Sequence, residues 1–111
     1  MRLNYAIKFV SDMDAAVAFY RDTLGLTLAF QSPFWSEFET GETRLALHPS
    51  SEVNPAGSVQ LGLGTTDIDN FHAAGQAEGL LFTSPPTEVH GTRIARFRDI
   101  DGAEISVSQT G

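Results

Sequence analysis

The chain has 111 residues, of which 41% are hydrophobic and 19% charged, which fits one compact domain with a buried core and is too short for two independent ones. Its formal net charge of -7 repels phosphate backbones and argues against nucleic acid as a partner. No apolar run approaches the roughly 20 residues of a membrane span, and the lack of cysteine excludes disulfides and thiolate metal sites while suiting a reducing cytoplasm.

The sequence opens directly into strand-like residues, with no signal-peptide pattern. Leu3 to Val10 alternates between two faces and predicts a strand. Ser11 followed by Asp14 has the spacing of a capping box. Met13, Ala16, Val17, Tyr20 and Leu24 then recur at helical spacing, and Gly25 is placed to end that helix in a left-handed cap. Three strands are expected next, over about Thr27–Gln31, Trp35–Glu39 and Thr43–His48, the last two joined through Thr40-Gly41-Glu42. Pro49 to Gly57 is polar and aperiodic, as a linker would be.

A second strand–helix–strand–strand–strand series follows. It runs through Ser58–Thr65, a helix from about Asp67 to Glu78 ended by Gly79, then Leu81–Thr83 continuing past Pro85-Pro86, Gly91–Arg98 and Ala103–Ser108. Thr66 and Asp69 repeat the capping spacing. Ser11-Asp12-Met13-Asp14 recurs as Thr66-Asp67-Ile68-Asp69, and Thr43–His48 is answered by Ala103–Ser108. A repeat of this size predicts two copies of one supersecondary unit, with chemistry at positions that match between copies. We take module one as residues 1–48, the linker as 49–57 and module two as 58–108, within a single domain over 1–111.

The twice-written βαβββ order carries two specific motifs. Val10-Ser11-Asp12-Met13-Asp14-Ala15-Ala16-Val17-Ala18-Phe19-Tyr20-Arg21-Asp22-Thr23-Leu24-Gly25-Leu26 resembles the opening signature of the vicinal oxygen chelate superfamily, the glyoxalase/bleomycin resistance protein/dioxygenase group. Phe97-Arg98-Asp99-Ile100-Asp101-Gly102-Ala103-Glu104-Ile105 is similar to its closing "FxDPDGxxIEL" motif. The resemblance spans essentially the whole chain. It implies an α+β fold of the glyoxalase/bleomycin-resistance/dihydroxybiphenyl-dioxygenase type, with two βαβββ modules forming a cupped mixed sheet covered by helices. It also implies a small-molecule pocket in the cup and a homodimer.

Many members of that superfamily hold a divalent metal on four inward strand positions, usually His and Glu. By motif these positions fall here on Tyr5, Ala46, Gln60 and Ser106. Borderline metals favour imidazole or carboxylate. A phenol, an amide and a hydroxyl donate weakly, and Ala46 donates nothing. No metal and no other cofactor is therefore expected, which sets this chain apart from the glyoxalase I, fosfomycin-thiol transferase and extradiol dioxygenase branches.

Other residues carry alternatives. His48, two positions beyond Ala46, shares its face and is either an acid–base group near neutrality or a strand-end histidine beside Pro49. His90, before Gly91, is a rim contact or a solvated loop residue; His72 is a packed or half-exposed helix residue. Alternation puts Trp35, Glu37 and Glu39 on one face and Phe34, Phe38 and Thr40 on the other, so Trp35 and Glu37 either line a pocket or cover an interface. Arg44 supplies a cationic contact or pairs with a surface acid, and Arg96 and Arg98 share a face and are expected to pair. Gly-rich phosphate loops, Gly-x-Ser-x-Gly and His-Glu-x-x-His are all absent.

Two functions follow from this reading. The first is a metal-free binder of a small apolar, aromatic or antibiotic-like molecule, cytoplasmic and homodimeric, with Tyr5, Trp35, Glu37, Arg44, His48, Gln60, His90 and Ser106 as ligand-binding candidates. The second is a vicinal oxygen chelate enzyme (lyase, dioxygenase or isomerase-like) working through His48 or His90.

Overall fold

The computed structural model describes residues 1–111. Its elements run β1 (Arg2–Val10), α1 (Met13–Ala18, continued by a π-helical turn over Phe19–Thr23), β2 (Thr27–Phe30), β3 (Ser36–Glu39), β4 (Arg44–Pro49), β5 (Val59–Thr65), α2 (Ile68–Ala77), β6 (Leu81–Val89), β7 (Thr92–Arg98) and β8 (Glu104–Gln109). This is an α+β fold built from βαβββ twice. The chain divides into two compact units, one of Asn4–Val59 and one of Gln60–Gly111 with Met1–Leu3. Neither helix is long and apolar enough to cross a membrane.

In the first unit the strand order is β2-β3-β4-β1, with β1 and β4 parallel and the other pairs antiparallel. Helix α1 covers one face, where Val17, Phe38 and Leu47 form a buried cluster joined by Val10, Met13, Tyr20 and Leu45. A separate cluster of Ile7, Phe9 and Ala46 packs with Tyr5 and Trp35. Because strand side chains alternate, these residues occupy the face away from α1.

The second unit repeats the plan in the order β5-β8-β7-β6, with β5 and β8 parallel and both β6–β7 and β7–β8 antiparallel. Ile68 of α2 is buried with Ala95, Phe97, Ile105 and Val107, and Phe71 and Phe82 pack against them. Pro85 and Pro86 do not end β6. As an edge strand it has one side free of ladder bonds, so the missing N–H groups cost little there, and register shifts on either side of Ser84 take up the irregularity.

Both helix starts differ from the sequence expectation in one respect. The N-cap is Asp12 rather than Ser11, its Oδ1 accepting from the Ala15 N–H at 3.0 Å. It is likewise Asp67 rather than Thr66, accepting from the Asn70 N–H at 3.1 Å. A cap accepts from an N–H two or three residues on while its own backbone stays non-helical, and both aspartates do so. Helix α2 ends as expected: Gly79, at φ 84°, lets the Leu80 N–H reach the Gly75 carbonyl at 2.8 Å and its own N–H reach Gln76 at 3.1 Å. The far end of β8 adds a cap invisible locally, since Gln109 accepts from the Ile68 N–H at 2.8 Å and donates to the Thr66 carbonyl at 2.6 Å.

The segment expected as a linker is tied to β1. Ser50 N–H bonds the Val10 carbonyl, Gly57 N–H the Phe9 carbonyl, and Phe9 N–H the Ser58 carbonyl, at 2.8, 2.9 and 3.0 Å. Its polar composition reflects a hydrogen-bonded surface turn.

Candidate functional site

The helix-free face of the first unit gathers five of the eight candidate residues. Register places Tyr5 beside Arg44, Ile7 beside Ala46 and Phe9 beside His48 on the β1–β4 ladder. On the β3–β4 ladder Glu37 lies beside Ala46. With only a methyl at position 46, the Trp35 indole can pack on the Ile7, Phe9 and Ala46 cluster. Aromatic rings then run in edge contact across the face: Tyr5 to Trp35 at 5.5 Å and 81°, Trp35 to His48 at 6.4 Å and 83°, and His48 to Phe9 at 5.4 Å and 64°. Such geometry sets the positive ring edge against the negative ring face.

Beside this row lies a carboxylate with only 14% of its side chain exposed, that of Glu37. The Trp35 indole N–H donates to its Oε1 at 3.0 Å and the Arg44 guanidinium to its Oε2 at 2.8 Å. The Tyr5 hydroxyl acts on the same group. Burial alone would raise this carboxyl. Donation from Tyr5, Trp35 and Arg44, with the charge of Arg44, outweighs burial and holds it below its ordinary value of 4.5. Arg44 also approaches Glu39 at 3.8 Å, so its charge is already matched within the protein.

The same cluster moves the Tyr5 phenol the other way. Burial, then the hydrogen bond to Glu37 and the negative charge of Glu37, push it from 10.0 up to about 12, against the opposing pull of Arg44. A raised folded value means that stability is complete below about pH 10 and falls as pH rises towards 12. In an ultraviolet titration we expect a tyrosinate transition near 12 that disappears in Tyr5→Phe. If that transition is unchanged in the variant, the assignment fails.

His48 is exposed at the strand end. Its Nδ1 lies 2.8 Å from the Pro49 carbonyl oxygen. A carbonyl only accepts, so Nδ1 is the donor in this contact. His90 occupies the tip of the β6–β7 hairpin, exposed and at φ 50°, with Gly91 following at φ 82°. That is the two-residue turn with both central residues left-handed that the strand twist favours, which gives His90 a structural reason to be where it is. His72 packs edge-on against Phe82 at 4.5 Å.

In the second unit Gln60 and Ser106 both lie away from α2, since Leu63, Ile105 and Val107 supply the helix-side contacts. Gln60 donates to Glu104 at 3.3 Å, and Thr83 donates to the other oxygen of that carboxylate at 2.8 Å. Glu104 was not among the sequence candidates. Its position two residues before Ser106, on the same face by alternation, was the available signal.

These residues do not fit a divalent ion. Ala46 has no donor atom, the Tyr5 phenol is held in its neutral form, and Gln60 and Ser106 offer only a neutral amide and a hydroxyl. No group of three or more His, Cys, Asp or Glu side chains stands close enough to share a metal. A groove of about 350 Å³ is present in the first unit, lined by residues that include Phe9, Val10, Asp12, Ala15 and Phe19. It lies where β1 hands over to α1, is broadly open to solvent, and has none of the eight candidates in its wall.

The chain is similar to a Legionella pneumophila structure titled NAD-dependent benzaldehyde dehydrogenase, at 18% identity and TM-score 0.80, covering 97% of this chain and 99% of the other. A variant of Streptomyces coelicolor methylmalonyl-CoA epimerase in complex with 2-nitronate-propionyl-CoA is similar at 19% and 0.82, covering 100% and 98%. A hypothetical protein from Bacillus halodurans is similar at 17% and 0.82, covering 99% and 94%. At such identities the likeness is one of fold. No curated protein matches the sequence. A family model matches residues 2–107, and by that match the chain belongs to the Glyoxalase/Bleomycin resistance protein/Dioxygenase superfamily.

Proposed function

We propose that this chain is a small-molecule-binding protein of the bleomycin-resistance type, taking up an aromatic or otherwise apolar compound on the helix-free face of its first module without a catalytic metal. The observation that carries this reading is the row of rings from Tyr5 through Trp35 and His48 to Phe9. A flat apolar ligand gains area burial and ring contact against such a surface, and the fixed Glu37–Arg44 pair orients its polar groups. The poor donor set at Tyr5, Ala46, Gln60 and Ser106 supports the metal-free part. A cytoplasmic location and a two-fold homodimer belong to the same reading. The dimer is supported by Phe34 and Phe30, which stand 75% and 53% exposed, more apolar surface than a ligand alone would cover.

Trp35 is the only tryptophan, so its fluorescence reports this face directly. Titration with a panel of flat aromatic compounds should give saturable quenching with at least one. By calorimetry, Trp35→Ala should weaken that compound at least about tenfold. Protein purified without chelator should contain no stoichiometric zinc, nickel, manganese or iron. Absence of any response across the panel, or a full complement of metal, would sink the reading. In light scattering at micromolar concentration we expect twice the chain mass of 12.0 kDa; a monomer would remove the dimer from it.

One observation favours a second reading, an enzyme with His48 as acid–base. The Pro49 carbonyl accepts from Nδ1, so Nε2 is the ring nitrogen left to exchange a proton with a compound at the aromatic row. If a compound bound at Trp35 is converted, and conversion is lost in His48→Gln while binding is kept, this reading replaces the first.

A further inference from the structure

We propose that Arg96 and Ser106 form a binding site for a carboxylate on the helix-free face of the second module. This goes beyond the aromatic-face reading and does not depend on it. Ala95 and Phe97 are buried against α2, so alternation along β7 sends Arg96 to the opposite face. There it is half-buried and lies beside Ser106 of β8 in the ladder, with Ile94 beside Ser108 and Arg98 beside Glu104.

The strand carries three arginines, and two of them are satisfied within the protein. Arg93 pairs with Asp69 at 2.5 Å. Arg98 donates to the Gly102 carbonyl at 2.9 Å. Arg96, contrary to the pairing expected from sequence, has no carboxylate within 4.0 Å and no hydrogen-bond acceptor in the chain. The Ser106 hydroxyl is likewise without a protein partner. No buried side-chain nitrogen or oxygen in the protein lacks one, so both groups open onto accessible space.

A half-buried arginine whose guanidinium has no partner in the chain keeps all its donors available to an anion. That it occurs in a chain with 14 acidic and 7 basic residues sharpens the point: Glu104, the carboxylate that shares this face, is bonded to Gln60 and Thr83, and none comes within 4.0 Å of Arg96. The guanidinium fork matches the two coplanar oxygens of a carboxylate, and the Ser106 hydroxyl adds a third donor. Glu104 selects against dianions. Its carboxylate shares the face two residues along β8, fixed by Gln60 and Thr83, and repels a doubly charged phosphate more than a singly charged carboxylate. Ile94, on the same face, offers apolar surface for the body of the ligand.

The test is a side-chain NMR titration of the intact protein, following the arginine Nε–Hε signals with benzoate, benzamide and inorganic phosphate as probes. The Arg96 signal is assigned by its loss in Arg96→Lys. We expect it to shift saturably with benzoate, to stay in place with benzamide, and to respond more weakly to phosphate, while Arg44 and Arg93 remain unmoved. Benzoate should bind about tenfold or more weakly to Arg96→Gln and about threefold more weakly to Ser106→Ala. The same spectra report whether each variant is folded, and the wild-type titration stands without them. The proposal is overturned if benzoate gives no saturable shift at Arg96, if Arg2 and Arg98 respond equally, or if phosphate binds as tightly as benzoate.

Discussion

Phe38→Ala is expected to destabilise the protein by about 3–5 kcal/mol. Phe38 is fully buried, in a cluster with Val17 and Leu47, and its ring lies 5.8 Å from that of Tyr20. Truncation to alanine removes that transfer energy and leaves a cavity that α1 and β4 can fill only in part. Against a usual total of about 5–15 kcal/mol for a domain of this size, that is a large fraction, so the variant should show a sharply lower denaturation midpoint at unchanged m-value. Val53→Ala is the control, because Val53 stands 83% exposed and should cost less than about 0.5 kcal/mol. Equal losses for the two would mean that the β3 register, and with it the placement of Trp35 and Glu37, is wrong.

Glu37→Ala should cost about 2 kcal/mol, and the loss should depend on pH. The substitution strands the Trp35 indole N–H at a partly buried site, where an unsatisfied donor costs about 1–3 kcal/mol. Arg44, whose side chain is 41% exposed, recovers water in place of its partner and adds little. Because the folded Glu37 carboxyl sits below its ordinary value of 4.5, its contribution is present above that value. It is lost as pH falls through the folded one. Wild type and Glu37→Gln should therefore converge in stability as denaturation is measured at progressively lower pH below 4.5, and differ most near neutrality. A gap independent of pH would show that Glu37 acts through packing alone. Aromatic probes should also bind more weakly to Glu37→Ala, since the indole of Trp35 loses the bond that orients it.

The sequence by itself determined the order of elements. Apolar spacing at two and at three to four residues is a local property, and so are the glycines that end the helices, whereas the caps fall one residue later than the pattern indicated, on Asp12 and Asp67 rather than Ser11 and Thr66. The repeat doubled each signal, which is why two βαβββ modules and the faces of Tyr5, Trp35, Glu37, Gln60 and Ser106 could be read before any coordinates. What the tertiary structure decided depends on residues far apart in the chain. Glu37 is a fixed carboxylate because Arg44 and Tyr5 arrive from β4 and β1 through strand pairing, not through sequence spacing. Gln109 caps α2 from 41 residues away, and Glu104 joins Gln60 from 44 residues away. Alternation placed Arg96 and Arg98 on one face, but only the ladder and the contacts around it showed that Arg98 is occupied by its own turn while Arg96 is without a counter-charge. Pattern fixes the face to which a side chain points; what it meets there is set by which strands lie alongside, and that is a property of the folded chain.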